Sequence, residues 1–258
     1  MEYISIEKAK SLGGLRLVLT GGVPGPWSEA AKGLFRVRGV DYAPVFQEGG
    51  GANEAILAWT GHRNAPTAMY NDEAARVTPV EMINLAERLG SGPSLVPDAI
   101  AERVTMFGLL NEIAGEQGFA WSARTLMFAA MVENAGEAAM ANNPMLADYH
   151  FDATEVATAP AKIIAVLERL SQQLSAQSAA GSRYLVGERL SALDIYWACF
   201  SQMLDPLPPK VNPMPDYLYG IWGLTAKAVE KTGFQPDKAL LEHRDYIFPT
   251  YLTWPLDF

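Results

Sequence analysis

Few side chains in this sequence of 258 residues have the types and the spacing that metal binding or thiol catalysis requires. The three histidines, His62, His150 and His243, are far apart and form neither an H-x-x-x-H nor an H-E-x-x-H pattern. The one cysteine, Cys199, excludes an intramolecular disulfide and a zinc site built from several thiolates. The sequence therefore predicts a protein without a metal site.

The motifs of nucleotide-dependent enzymes and serine hydrolases are absent as well. The loop over residues 21–26 contains prolines where a dinucleotide-binding turn needs backbone N–H donors. There is no Walker A lysine and no G-x-S-x-G turn for a nucleophilic serine. The formal net charge of −9 also disfavours a nucleic acid or an anionic membrane as the main partner.

Hydropathy along the chain predicts a protein of the reducing cytoplasm. No uncharged apolar run reaches the roughly 18 residues that a membrane span needs. The first residues lack the basic segment followed by an apolar segment that marks a secretory signal. With 49% apolar residues, the chain has enough material for a substantial core in one or two domains.

One hydroxyl is placed where it can meet an anion. Ser28 follows Gly25, Pro26 and Trp27 at the predicted start of a helix, where free backbone N–H groups favour negative charge. Its side chain can either donate a hydrogen bond to such an anion or act as the N-cap of the helix. The sequence leaves both interpretations open.

The elements that would hold these residues change in character along the chain. The first third has short apolar runs broken by glycine and proline, in the order βαβ, a loop, and then ββα. The loop includes residues 47–53. The clearest predicted elements are a strand over 15–19, a helix over 28–37, a strand over 40–46, a strand over 67–70 and a helix over 80–89.

The rest of the chain has helical patterns only. Glycine and proline over residues 90–94 mark a linker, because together they stop a helix. After it, apolar residues recur at helical spacing over 99–114 and again over 161–174. We therefore predict two domains, an α/β domain over 1–90 and an all-helical domain over 97–258.

The segment after Phe234 is unusually rich in aromatic side chains, which bury large areas when they pack. We expect it to pack over the cleft between the two domains or at their junction. Its aromatic residues include Tyr246, Phe248, Tyr251, Trp254 and Phe258.

A helix start near residue 190 follows a defined capping pattern. The Ser191 hydroxyl can accept a hydrogen bond from the backbone N–H of Asp194, whose carboxylate can reach back to the Ser191 N–H. Leu190 and Ile195 are spaced to pack against each other across this turn. The pattern predicts a helix that begins just after Ser191, with a cap worth roughly 1 kcal/mol.

Several segments together resemble the glutathione transferase family. Residues 184–187 followed by 191–195 are similar to the buried helix start of that family's helical domain. Residues 64–67 contain a proline where the family has a cis-proline, and residues 25–28 match its first loop. The resemblance spans about 15–234 and implies the family's fold, an α/β thioredoxin-like N-terminal domain plus an all-α C-terminal domain.

The resemblance implies that glutathione lies against the thioredoxin-like domain as a short extended strand. The backbone of Ala65, before the proline Pro66, would pair with the cysteinyl part of the tripeptide. Arg63 and His62 would meet its glycyl carboxylate unless they are simply solvated loop residues. The resemblance places Trp27, in the first loop, at the same site. Pro66 as a trans proline opening an edge strand is the alternative.

The γ-glutamyl group of glutathione is normally held by an acidic residue and a serine at the start of the domain's last helix. The helix ending over 85–89 aligns Glu81 with the acidic position and Met82 with the serine. Counting from Pro66 instead selects residues 79–80, which offer neither group. Glu81 is otherwise a first-turn acid favoured by the helix dipole.

The residue that would activate the thiol is missing. The family lowers the pKa of glutathione with a Tyr, Ser or Cys near the first strand and helix, and the matching position here is Gly25. Ser28 is the candidate catalytic hydroxyl, and backbone N–H groups at the helix start are an alternative that needs no side chain. No cysteine lies in this loop, which argues against a mixed-disulfide mechanism.

By resemblance the protein is a glutathione transferase that joins glutathione to a small hydrophobic electrophile. The candidates for lining the electrophile's site between the domains are Met106, Phe119 and Trp121. Because members of the family are commonly dimers, the resemblance also implies a homodimer. Because Gly25 has no hydroxyl, the alternative is a non-catalytic binding or interaction protein with the same fold. Pro66 and Glu81 favour a catalyst, whereas Gly25 and Met82 favour a non-catalytic protein.

Overall fold

The computed structural model describes residues 1–141 and 143–258 and begins with a small mixed domain. A three-stranded sheet carries helices on its faces in this part of the chain. In chain order the elements are helix α1 (Ile6–Ser11), strand β1 (Leu15–Thr20), helix α2 (Pro26–Val37), strand β2 (Ala43–Gln47), helix α3 (Glu54–Thr60), strand β3 (Thr67–Tyr70) and helix α4 (Pro79–Leu89).

The sheet has the order β2-β1-β3, with β1 parallel to β2 and antiparallel to β3. Strand β1 is central and buried over most of its length, as its apolar run predicts. The sequence predicted a ββ pair before α4 and therefore a fourth strand. This prediction is wrong, because the described residues form a three-stranded sheet. Only the isolated bridge between Ala68 and Arg76 stands in its place. The loop predicted over 47–53 is confirmed for residues 48–53, and helix α3 follows it in a segment for which the sequence predicted no element.

The second part of the chain is helical throughout its described elements. They are α5 (Ile100–Ala114), α6 (Phe119–Ala135), α7 (Glu137–Met140), α8 (Pro144–Asp148), α9 (Ala159–Ala179), α10 (Ala192–Phe200), α11 (Asp216–Glu230) and α12 (Lys238–Tyr251). Two short 3-10 turns, Ala153–Glu155 and Ser201–Met203, complete it. No helix among the described residues combines the length and the apolar character that crossing a membrane requires.

Helix α10 begins with the capping box that the sequence predicts. The Asp194 carboxylate accepts hydrogen bonds from the Ser191 N–H at 2.8 Å and from the Ser191 hydroxyl at 2.7 Å. It also accepts one from the Leu185 N–H at 2.7 Å and lies 2.9 Å from Nε2 of His243. Since Asp194 is fully buried, these partners replace the water that its charge has lost.

Helix α10 is also the element that joins the two parts of the molecule. Every one of its residues is buried, and it packs against α2, α5 and α12. Gly33 of α2 allows the close approach, because a Cβ there would lie 2.9 Å from Ile195. Cys199 lies fully inside this interface, where burial raises the pKa of its thiol well above the ordinary value.

The C-terminal segment packs at the domain junction, one of its two predicted positions. Its backbone reaches α2, where the Lys32 ammonium donates a hydrogen bond to the carbonyl oxygen of Asp257 at 2.5 Å. Lys32 also pairs with Glu29 at 2.8 Å inside the protein. Leu252 contributes an apolar contact, since its side chain lies next to Gly33.

Candidate functional site

A cavity of about 400 Å³ lies between the two domains, at one end of the sheet. Its walls come from three segments of the α/β part and from α6 and α8 of the helical part. The lining residues of the α/β part are Trp27, Leu57, Gly61, His62, Arg63, Asn64, Ala65, Pro66 and Val77. Those of the helical part are Trp121, Arg124, Asp148 and Tyr149.

The segment between α3 and β3 forms one wall and is held by its own hydrogen bonds. Helix α3 ends at Gly61 with a positive φ of 79°, a conformation that suits glycine. The Asn64 carbonyl then accepts a bond from the Thr67 hydroxyl at 2.9 Å. The peptide bond between Ala65 and Pro66 is cis, as the family resemblance implies. Because the pairing of β3 with β1 begins at Thr67, Ala65 lies just outside the sheet ladder.

The N-terminus of α2 approaches the same cavity through Trp27. The helix begins at Pro26 with Gly25 as its N-cap, so the interpretation of Ser28 as the N-cap is wrong. Proline suits the first helical position because its missing N–H would be unpaired there in any case. The Trp27 Nε1–H donates to the Ala114 carbonyl at 3.1 Å, which holds the indole against the helical domain.

Arg124 of α6 lies among three aromatic rings at the cavity wall. The carbon of its guanidinium is 4.1 Å from the ring centre of Trp27, 4.0 Å from that of Tyr149 and 4.9 Å from that of Trp121. Desolvation lowers the pKa of Arg124 to about 10, against a smaller opposing effect of Tyr149. The guanidinium therefore keeps its charge at neutral pH.

Arg124 has no polar partner in the part of the chain that the structure describes. Its Nη1 atom is buried without a hydrogen bond. Cation–π contact with aromatic faces gives such a charge part of the stabilisation that it loses with its water. The planar group nevertheless keeps N–H donors that suit an anion.

Asp148, next to Tyr149 in the chain, also lines the cavity and connects the two domains. Its carboxylate lies 3.5 Å from Nε of Arg63 and accepts a hydrogen bond from the Asn64 amide at 3.4 Å. Both side chains of the ion pair are partly exposed, so the pair is worth at most about 1 kcal/mol. Arg63 thus already has one anionic neighbour at the place where a ligand carboxylate was predicted.

The structure brings five of the predicted site residues together around this cavity. Trp27, Arg63, Ala65, Pro66 and Trp121 all line it, although they come from distant parts of the sequence. His62, which the sequence analysis paired with Arg63, lines it as well. The convergence follows from the approach of α6 and α8 to the segment before β3 and to the N-terminus of α2.

Glu81 and Met82 lie elsewhere. Glu81 accepts hydrogen bonds from the Val77 and Thr78 N–H groups at 3.0 and 2.9 Å and completes a capping box for α4. Partial burial acts to raise its pKa, but these hydrogen bonds outweigh that effect and lower the pKa of Glu81 below its ordinary value. Met82 is 1% exposed and belongs to the core. Neither residue lines the cavity.

Three further candidates are buried away from the cavity walls. Met106 and Phe119 are fully buried in the core, and the Phe119 ring packs edge-to-face on Trp197 at 5.9 Å. Their helical spacing identified the buried faces of α5 and α6 rather than a ligand surface. Ser28, in the first turn of α2, is 4% exposed and is not one of the lining residues.

Sequence reasoning missed the polar residues that the helical domain contributes. Arg124 is the one basic residue of α6, three positions after Trp121 and therefore on the same side of the helix. A single basic residue in a largely apolar helix was the available signal. Asp148 and Tyr149 come from the end of the short helix α8, whose approach to the sheet depends on tertiary packing.

The described parts of the chain contain no cluster of side chains that could bind a metal ion. Among the side chains that the structure describes, no three His, Cys, Asp or Glu residues gather closely enough to hold an ion. The polar groups at the cavity are instead a guanidinium, an ion pair and an imidazole.

Comparison with known proteins identifies a relationship for the helical part of the chain. Residues 123–217 match the family model described as glutathione S-transferase, C-terminal domain. A search of curated proteins found no match.

Solved structures with the same fold include several glutathione S-transferases. One from Methylobacterium radiotolerans, in complex with glutathione sulfonate, is 15% identical, with 89% of this chain and 93% of that chain covered and a TM-score of 0.56. One from Methylobacillus flagellatus with glutathione bound is 13% identical, with 89% and 98% covered and a TM-score of 0.54. A Tau class enzyme from mango is 18% identical, with 89% and 96% covered and a TM-score of 0.54. At these identities the likeness concerns the fold.

Proposed function

Since the chain belongs to the glutathione S-transferase family by its fold and by the family match of its helical domain, we propose that its interdomain cavity binds glutathione. We further propose that the protein transfers the tripeptide to a small hydrophobic electrophile. The observation that supports this most directly is the cavity itself. It combines the cis-proline segment of the α/β domain with an aromatic wall from the helical domain.

The proposed binding mode uses backbone more than side chains. Ala65 lies before the paired residues of β3, so its peptide groups are positioned to extend the sheet with the cysteinyl part of glutathione. Arg63 would bind the glycyl carboxylate, exchanging its contact with Asp148 for the ligand. Glu81 and Met82 are left out of the proposed site, because one caps α4 and the other is buried in the core.

The proposed reaction is nucleophilic substitution or addition at carbon. The thiolate sulfur of glutathione forms a bond to the electrophilic carbon, and any leaving group departs with the bonding electron pair. The N-terminus of α2 favours the thiolate by about 0.3–1 kcal/mol through its dipole. Trp121, Tyr149 and Leu57 provide apolar surface for the electrophile.

The binding proposal is tested by calorimetric titration of glutathione into the purified protein at neutral pH. We expect saturable binding at micromolar to millimolar concentration, weakened about tenfold by Arg63→Ala because a charge-assisted hydrogen bond is lost. Arg169→Ala is the matched control, since this arginine lies on α9 and bonds to Gln173. No heat and no thermal stabilisation at ten millimolar glutathione would overturn the proposal.

A second candidate function is non-catalytic binding or interaction, favoured by Gly25. The activating position has no side chain there, and Gly25 is the N-cap of α2. The two functions separate when turnover is measured with chlorodinitrobenzene and a panel of other electrophiles. Glutathione binding with no rate above the uncatalysed reaction across the panel would select the binding protein.

We propose that the protein is a homodimer and that α5 contributes to its interface. Ile100 and Val104 occupy adjacent turns of α5 and are 71% and 68% exposed. Val80 and Phe46 are exposed apolar side chains as well. Light scattering should give twice the chain mass of 28.1 kDa, and Val104→Glu should shift the protein toward the single-chain mass. A wild-type mass of one chain would contradict the dimer.

We propose the cytoplasm as the place of action. The reaction needs reduced glutathione, which that compartment maintains. The protein's own cysteine, Cys199, is fully buried and forms no disulfide, so the fold does not depend on an oxidising compartment. Fractionation of cells that express the tagged chain would locate it.

A further inference from the structure

Arg124 is the charged group in the cavity that the proposed binding mode does not yet use. It reaches from α6 to the rings of Trp27 and Tyr149, about 4 Å from each. Its buried Nη1 has no hydrogen bond in the described part of the chain, and none of its other nitrogens forms an ion pair there. A cation held this way costs stability unless an anion completes its contacts.

The position of Arg124 restricts which anion it meets. Trp27, whose ring it covers, belongs to the first turn of α2, and Ala65 and Pro66 line the same cavity. If glutathione binds as proposed, its cysteinyl part lies along Ala65, so the sulfur faces the α2 N-terminus and the helical domain. The ligand's two carboxylates lie at the far ends of the tripeptide.

Other charged and titratable groups around the cavity do not compete for this role. Asp148, on α8, already contacts Arg63 and Asn64. His62 lies in the segment before the cis-proline, on the α/β wall. Tyr149 offers Arg124 its ring face, at 4.0 Å from the guanidinium carbon. Arg124 is therefore the cation on the helical-domain side of the expected sulfur position.

We propose that Arg124 binds and stabilises the thiolate of glutathione, supplying the function of the hydroxyl that is missing at Gly25. This inference rests on the proposed glutathione site. The thiol gives its proton to solvent or buffer, and the guanidinium donates hydrogen bonds to the resulting sulfur anion. The aromatic rings keep the guanidinium plane oriented and limit its access to water.

The test compares two ligands that differ only at sulfur. Glutathione sulfonate carries a permanent anion there, whereas S-methylglutathione carries a neutral thioether. We expect Arg124→Met to weaken binding of glutathione sulfonate about ten- to a hundredfold, the effect of losing a charge-assisted hydrogen bond. The affinity for S-methylglutathione should change less than about threefold, because Arg124 loses only a contact with an uncharged group.

A spectroscopic readout tests the same inference on glutathione itself. Thiolate absorbance near 240 nm, followed against pH, gives the pKa of the bound thiol. Arg124→Met should raise that pKa by about one unit or more, and Arg124→Lys, which keeps the charge, should restore part of the shift. Arg189→Met is the matched control, because Arg189 is an exposed arginine paired with the exposed Asp98.

The outcomes separate the inference from the proposed function. Loss of both ligands to the same extent, or no loss of sulfonate binding, would overturn the role of Arg124 while leaving the glutathione site standing. Failure of the wild-type protein to bind S-methylglutathione would overturn the site and the inference together. If Arg124→Met fails to fold, as thermal melting would show, unchanged sulfonate affinity and thiol pKa in Arg124→Lys and Arg124→Gln would overturn the inference.

Discussion

Replacing Gly25 by serine would place a hydroxyl at the position that the family resemblance matches to the thiol-activating residue. Gly25 is the N-cap of α2, with φ of −54° and ψ of 126°, a conformation that other residues adopt readily. A Cβ built at this position meets no atom within 4 Å. The substitution therefore needs no movement of neighbouring groups.

The structure gives the expected size of both effects. Losing the flexibility of glycine in the unfolded chain, together with a serine N-cap, should stabilise the fold by about 0.5–1 kcal/mol. For a domain of this size that raises the melting temperature by about 1–4 °C. A thiol with an ordinary pKa near 8.5 is about 3% ionised at pH 7. Lowering that pKa by one unit, about the value of one hydrogen bond, increases the thiolate roughly eightfold, and only about threefold where Arg124 has already lowered the pKa by one unit.

The assay is the initial rate of glutathione conjugation to chlorodinitrobenzene, measured beside thermal melting. Gly25→Ala is the control, because it adds the same Cβ without the hydroxyl. We expect Gly25→Ser to melt higher than the wild type and Gly25→Ala to melt close to it, because alanine is a poor N-cap residue. Only Gly25→Ser should react faster, by up to about eightfold at pH 7. Equal rates for the two variants would refute the placement of the sulfur near residue 25. If both variants were destabilised by more than about 1 kcal/mol, the conclusion that a Cβ atom fits at residue 25 without contacts would be refuted.

Three further predictions concern groups outside the reaction. Asp194→Asn should lower the free energy of unfolding by about 2–4 kcal/mol, because a buried carboxylate with four partners is replaced, and a denaturant titration showing under about 1 kcal/mol would contradict this. Glu81→Gln should cost about 0.3–1 kcal/mol at neutral pH, because glutamine can still complete the capping box but loses the charge that the helix N-terminus favours, and glutathione affinity should not change. Since hydrogen bonding lowers the pKa of Glu81, this difference should persist above its unfolded pKa and disappear as the pH falls through the folded value. Hydrogen bonds from Tyr251 and Arg183 lower the pKa of Tyr246 to about 8, so absorbance at 295 nm should show one early tyrosine ionisation that Tyr246→Phe removes.

The sequence predicted those helices and strands whose ends are marked by clear local motifs. Strand β1 lies between glycine pairs, and the Ser191–Asp194 box marks the start of α10 unambiguously. Helix α3 has no comparable signal, because Asn53 at its N-cap makes no side-chain cap and adopts the left-handed conformation. The expected strand before α4 fails for a similar reason, since only Arg76 bridges to β3. Tertiary packing decided those two segments.

The sequence predicted the α/β-domain side of the candidate site, where loop backbone geometry fixes the positions of the residues. Pro66 and Trp27 were found from loop motifs whose positions in the fold are constrained. On the helical side, periodicity cannot distinguish a residue facing a cavity from one facing the core, and so Phe119 was named while Arg124 was not. Both face inward from α6, and only the neighbouring helices determine what each one meets.

The deep burial of Cys199 makes the chain a convenient scaffold for site-specific labelling. Its thiol is fully enclosed by α10 and its neighbours, and its raised pKa keeps it protonated at the pH of maleimide coupling. A single cysteine introduced on an exposed face of either domain should therefore react alone in the native protein. Pairs of dyes attached in this way could report whether the two walls of the cavity approach each other when a ligand enters.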